Sequence, residues 1–167
     1  MKKESAQIID NKEGKAFSVV GDSYRIVETG ENTNNDFAII DMLVPSGGGP
    51  GPHAHKDFHE TFHVLDGEIE LTTEDGVFTI SKGSFAVIPK GGIVHSFKNK
   101  TDKTAHLWCM VTPAGLEKFF EKIGEPSTFG KFLPPPEMNE FVIEKLQEIA
   151  AEYGQELYPP DYFEKNK

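Results

Sequence analysis

Two consecutive stretches decide how this chain is read. The first is Pro45-Ser46-Gly47-Gly48-Gly49-Pro50-Gly51-Pro52-His53-Ala54-His55, and the second is Lys56-Asp57-Phe58-His59-Glu60-Thr61-Phe62-His63-Val64-Leu65. On an extended strand, residues two apart share a face, so His53 and His55 point the same way. Two imidazoles so placed both reach one ion, since metal–nitrogen bonds are about 2.0–2.1 Å. The Gly/Pro loop before them bends sharply and lets the backbone approach a cavity closely. Residues 53, 55, 59 and 63 have the same parity, yet one straight strand would set His53 and His59 about 20 Å apart. Either the row is incidental or the chain turns after His55, and Lys56-Asp57-Phe58-His59 is polar enough to be that turn. Glu60 then opens a new strand in which Glu60, Phe62 and Val64 share a face against Thr61, His63 and Leu65. The first set is the more apolar and is expected inside, carrying Glu60 inward. His59 reads as a loop imidazole in solvent and His63 as an outer-face residue.

Outward from this segment, short apolar runs alternate with turns. Phe17 to Val20, Tyr24 to Glu28, Phe37 to Val44, Thr61 to Leu65, Glu68 to Thr72, Val77 to Ile80, Phe85 to Ile88, His95 to Lys98 and Thr104 to Val111 all read as strands. Asp66-Gly67 and Asp75-Gly76 are tight-turn signals. Many short strands without intervening helices predict an all-β sandwich or barrel, not a parallel βαβ sheet. The composition shifts near residue 113. Thr112-Pro113 reads as a helix start, and Leu116, Phe119, Phe120 and Ile123 as its apolar face, closed by Gly124. A second helix is expected from about Glu137 to Tyr153, with Gly154 as its stop and Pro134-Pro135-Pro136 as a stiff connector. The expected organisation is one domain over residues 1–167, with a barrel core of about 17–112 and a helical extension of about 113–167. The helices are expected to cover the outside of the barrel, the alternative being a lid over its mouth.

Composition removes several function classes. A chain of 167 residues is long enough to bury a core without staples. The net charge of −10, with Arg25 as the one arginine, would repel a phosphate backbone, so nucleic acid is excluded as a partner. No apolar run approaches the length of a membrane span, so no membrane partner is expected. The polar start Met1-Lys2-Lys3-Glu4-Ser5 lacks the apolar stretch of a signal peptide, and a cytoplasmic location is expected. The single cysteine, Cys109, excludes an internal disulfide and a CxxC zinc site, and reads as an inert buried thiol.

His95 follows an apolar strand and a Pro-Gly turn, and taken alone it reads as an ordinary half-buried histidine. His106 reads as structural or surface. Two ordered blocks give these residues a context. Gly47, His53, His55, Glu60 and Gly67 stand at the spacing of the first cupin motif. Gly83, Pro89, Gly91, His95 and Asn99 resemble the second, except that Gly92, Ile93 and Val94 put three residues before His95 where the family usually has two. Over about residues 17–160 the chain is similar to small single-domain cupins of the quercetin 2,3-dioxygenase-like kind.

The resemblance implies a jelly-roll barrel of two antiparallel sheets, commonly a homodimer. It implies one divalent transition metal (Fe, Mn, Ni, Co, Cu or Zn) held by His53, His55, Glu60 and His95. Such a donor set leaves one or two octahedral positions for water, substrate or dioxygen. The activity expected from it is a dioxygenase acting on a small enol or aromatic substrate, with Glu60 as the group that takes the substrate proton. That role asks for a carboxyl raised by an apolar cavity. Phe62, Phe97, Trp108, Met42 and Met110 are the candidate walls. The alternatives are a redox-neutral isomerase, epimerase, lyase or decarboxylase, and a non-catalytic binding cupin. Lys90 and Lys98 read as peripheral, which weakens a phosphosugar substrate.

Overall fold

The computed structural model describes residues 5–165; the charged start Met1–Glu4, read above against a signal peptide, lies outside them. Twelve strands and three helices follow in the order β1 (Lys15–Val19), β2 (Asp22–Glu28), β3 (Ala38–Val44), β4 (His53–His55), β5 (His59–Asp66), β6 (Glu68–Thr73), β7 (Gly76–Ser81), β8 (Phe85–Ile88), β9 (His95–Lys98), β10 (Ala105–Thr112), α1 (Leu116–Ile123), β11 (Glu125–Pro126), α2 (Glu140–Glu152), β12 (Gln155–Leu157) and α3 (Tyr162–Lys165). They form two antiparallel sheets, one of order β11-β1-β2-β3-β10-β5-β8 and one of order β12-β4-β9-β6-β7. Consecutive strands often change sheet, which is the jelly-roll arrangement the resemblance implies and is consistent with the sandwich or barrel that the strand pattern predicts.

Strict alternation builds the core between the sheets. Along β10, Ala105, Leu107, Cys109 and Val111 are buried, while Trp108 and Met110 are exposed. Along β5, Glu60, Phe62 and Val64 are buried, the inward set expected from its greater apolarity, and His63 lies on the outer side. The expected walls Trp108 and Met110 are therefore corrected: both have outer-face parity. Phe62, Phe97 and Met42 are inside, the two rings meeting edge to face with centroids 5.1 Å apart.

The glycine loop before β4 is tied to the end of β9. Gly47 N–H donates to the Asn99 carbonyl at 2.7 Å, and Asn99 N–H to the Gly48 carbonyl at 3.0 Å. Asn99 is fully buried, and its amide donates to the carbonyls of Val44 (2.9 Å) and Lys103 (2.6 Å). Gly49 lies at φ 117, and a Cβ there would sit 2.2 Å from the Phe97 carbonyl oxygen, so only glycine fits. The loop and β9 thus hold each other in register next to the histidines of both motifs.

Two expectations about the chain's course are corrected, and two short strands were not foreseen. The first helix begins at Leu116, with Gly115 before it, and not at Pro113. Thr112 is still paired with His59 in β10, and strand pairing overrides the local capping signal. The second helix begins at Glu140, because the Asn139 side chain accepts the Val142 N–H at 3.0 Å and caps it. Strands β11 and β12 are too short to show a period, and only pairing reveals them, whereas β4 falls on the His53–His55 segment read above as extended. β12 runs beside β4, with Gln155 opposite His55 and Leu157 opposite His53. The tail therefore supports both sheets: α1 packs on β1 and β3, and β12 edges the histidine strand.

Two buried polar groups stand out. Arg25 reaches Asp41 at 2.7 Å and the Asn11 carbonyl at 2.6 Å, and His106 meets the other Asp41 oxygen at 2.5 Å, so His106 is structural as expected. Asp22, 3% exposed, takes the Tyr24 hydroxyl at 3.0 Å on one oxygen. Its other oxygen lies against the Gly48–Gly49 backbone without a hydrogen bond of good geometry. Burial pushes the Asp22 carboxyl up to about 7, against the pull of the Tyr24 and Gly49 contacts. A raised carboxyl stabilises the fold fully below its unfolded pKa of about 3.9, and that stabilisation is lost as pH rises through 7. In denaturant titrations, the stability of the parent relative to Asp22→Asn should therefore fall between pH 5 and pH 8; a difference that is flat with pH would refute this account.

Candidate metal centre

His53 and His55 come from β4 and His95 from β9; these strands are neighbours in one sheet, and His53 and His95 are register partners. Glu60 reaches in from β5 of the facing sheet. All four side chains are buried, with 6%, 2%, 3% and 0% exposure for His53, His55, Glu60 and His95. Glu60 Oε2 lies 3.2 Å from Nε2 of His55 and 3.2 Å from Nε2 of His95. Donor atoms of His53, Glu60 and His95 all fall within 4.8 Å of one another. His55 joins this group through Glu60 and His95; its ring is 4.9 Å from that of His95 and 6.3 Å from that of His53. His59 is exposed, and His63 stacks on Phe85 outside the sheet at 4.0 Å, so neither approaches the group.

Backbone carbonyls orient each imidazole. Nδ1 of His53 meets the Gly51 carbonyl at 2.9 Å, Nδ1 of His55 the Phe58 carbonyl at 3.0 Å, and Nδ1 of His95 the Ile93 carbonyl at 3.0 Å. A neutral imidazole donates through one nitrogen only, so these bonds put the proton on Nδ1 and leave a lone pair on Nε2. The three residues between Gly91 and His95 still accommodate this arrangement, since Ile93 supplies the carbonyl. Phe58 stacks flat on His55 at 4.1 Å and closes that side.

The electrostatics follow from this packing. Nε2 lone pairs facing a carboxylate oxygen at 3.2 Å repel it unless a proton or a cation lies among them. Burial, reinforced by neighbouring His95, lowers His53 to about 4, which disfavours the proton there. A divalent cation answers the same need, and nitrogen plus carboxylate is a donor set that divalent transition metals accept. The residues present therefore fit a metal. Burial by itself would raise Glu60, but a positive charge among the imidazoles, with His55 and His95 in contact with its carboxylate, outweighs burial and holds the carboxyl well below the usual range. The raised carboxyl expected for a proton-taking Glu60 is thus not found; those contacts must first be exchanged.

One neighbour was not legible. The Cys109 thiol, completely buried, contacts Glu60 Oε1 at 3.3 Å. Burial pushes this thiol up, so it stays protonated. Parity places Cys109 inside with Leu107 and Val111, but the register that pairs Val111 with Glu60 comes only from the fold.

The chain is similar to several known proteins. Residues 40–111 match the family model described as a cupin domain. Over 119 residues the chain is 27% identical to quercetin 2,3-dioxygenase of Bacillus subtilis, covering 71% of this chain and 35% of that protein. The chain thus spans about a third of that relative's length. Among solved structures, a predicted oxalate decarboxylase from Thermotoga maritima superposes with a TM-score of 0.57 at 17% identity, covering 64% of this chain and 99% of that one. A sugar phosphate isomerase of the cupin superfamily from Silicibacter pomeroyi gives 0.55 at 22%, covering 65% and 77%. Ectoine synthase from P. lautus gives 0.53 at 16%, covering 75% and 90%. These likenesses show the fold.

The carbonyl bonds and the lowered His53 make one spectroscopic expectation. In long-range proton–nitrogen spectra of metal-free protein, His53 should remain a neutral Nδ1–H imidazole at pH 5. A His53 ring that titrates near 6.5 would contradict the burial described here.

Proposed function

We propose that this chain, which carries a cupin domain over residues 40–111 in a cupin fold, is a metal-dependent oxidoreductase of the dioxygenase type, acting on a small enol or aromatic substrate. The observation that carries the reading is the convergence of His53, His55 and His95 on Glu60, with each Nδ1 already committed to a carbonyl. Likeness to quercetin 2,3-dioxygenase supports the dioxygenase reading, and on fold alone the reaction would be undetermined. We read residues 17–112 as the barrel and 113–167 as its extension, within one domain.

In this reading His53, His55 and His95 hold a divalent transition metal through Nε2, and Glu60 holds it through Oε2. Bound there, such a metal supplies Lewis acidity toward a substrate oxygen and a site for dioxygen. Phe62, Phe97 and Met42 keep the interior apolar, which strengthens every charge interaction in it. Glu60 accepts the enol proton of the substrate once its contacts with His55 and His95 are exchanged. A cytoplasmic location goes with the free thiol of Cys109.

The test combines metal analysis of protein purified without chelators with dioxygen uptake on a panel of enols. His53→Ala and His95→Ala should lose the metal yet keep the parent's far-ultraviolet circular dichroism, because the core does not depend on one ion. Glu60→Gln should lower turnover by about 10²–10⁴-fold. Turnover that persists under nitrogen would replace this reading with a redox-neutral reaction, and binding without turnover would make the chain a binding cupin.

We also propose a homodimer through the outer face of the larger sheet, where Phe85 (62% exposed), Val87 (60%), Trp108 (44%) and Met110 (40%) present apolar side chains to solvent. Sedimentation should give a dimer for the parent and a monomer for Trp108→Glu. A parent that sediments as a monomer at micromolar concentration would remove this interface.

A further inference from the structure

We infer that Cys109 is a positioning residue that restricts Glu60 to one working oxygen. This rests on the reading of His53, His55, Glu60 and His95 as a metal site and adds a member to it that neither cupin motif contains. The inner row of β10 runs Ala105, Leu107, Cys109, Val111, all buried. Position 109 is the one polar group in that aliphatic row, and its Sγ lies 3.3 Å from Glu60 Oε1. The opposite oxygen, Oε2, faces Nε2 of both His55 and His95. The carboxylate is thus divided: Oε1 is engaged by the thiol, and Oε2 faces the space the imidazoles share.

A buried carboxylate oxygen needs a donor. Tyr24 is close by, but its hydroxyl is given to Asp22. With an aliphatic residue at 109, Oε1 would lose this contact, and the carboxylate would be free to rotate and offer both oxygens to the metal. A thiol is a weak donor, but it is strengthened here by the full charge of its acceptor. The predicted role is therefore geometric. Cys109 sets how Glu60 binds, without itself binding metal.

Cobalt(II) titration of the metal-free full-length chain tests this. Cys109→Thr and Cys109→Val have the same shape and differ in one hydroxyl; Cys109→Ser and Cys109→Ala repeat the comparison at smaller size. The hydroxyl variants should bind cobalt like the parent and keep its visible spectrum. The Val and Ala variants should bind about 10–100-fold more weakly with altered d–d band intensity, as the carboxylate changes from one donor oxygen to two. If the Val variant fails to fold, the Ser and Ala pair decides. Equal affinity and spectra across all four variants would overturn the proposal while leaving the metal site standing. A sulfur-to-cobalt charge-transfer band in the parent would overturn it by making Cys109 a ligand. Parent protein that binds no cobalt, or binds it as well after His53→Ala, would remove the metal reading itself, and this role with it.

Discussion

A carboxylate buried between two sheets must be matched by charge or by hydrogen bonds, and Glu60 is that carboxylate here. Its β5 strand faces the sheet that carries all three motif histidines, so the group closes only when the two sheets pack. Each imidazole is turned inward by a carbonyl within three residues of itself, at Gly51, Phe58 or Ile93. The orientation of the site is therefore a local property of three short segments. Its convergence is a property of the whole jelly roll.

The scaffold around the group removes slack from those segments. Asn99 ties the end of β9 to the glycine loop that leads into β4. At Gly49 any side chain would collide with the Phe97 carbonyl, so that contact requires glycine. On the far side of β4, β12 adds the chain's last strand beside His53 and His55. A three-residue strand such as β4 cannot hold two imidazoles in place alone; its neighbours β9 and β12 do so from either edge. Aromatic packing by Phe58 and the Phe62–Phe97 pair then excludes solvent from around the polar group.

This arrangement separates what the fold can say from what the site can say. Proteins with the same fold carry names as different as oxalate decarboxylase, sugar phosphate isomerase and ectoine synthase. This fold is thus a frame that fits proteins of several different names and does not by itself fix a reaction. Arg25, the one arginine, is committed to Asp41 and to backbone carbonyls near the start of the chain. It is not available as a phosphate-binding group.

Sequence by itself determined the inward row of β5, because strand parity and apolarity leave one face for Glu60, Phe62 and Val64. It also determined that His53 and His55 share a face, and through the spacing of two motifs it singled out His95. It put β8 and β9 at their observed limits, since both are bounded by strong turn formers. Tertiary structure alone decided the rest. A capping signal at Thr112-Pro113 gave way because Thr112 is held by pairing with His59, and local propensity is weak against a ladder. Trp108 and Met110 turned outward because one residue of register assigns a whole strand to its faces. The contact of Cys109 with Glu60 joins positions 49 residues apart, and no local period carries information over that distance.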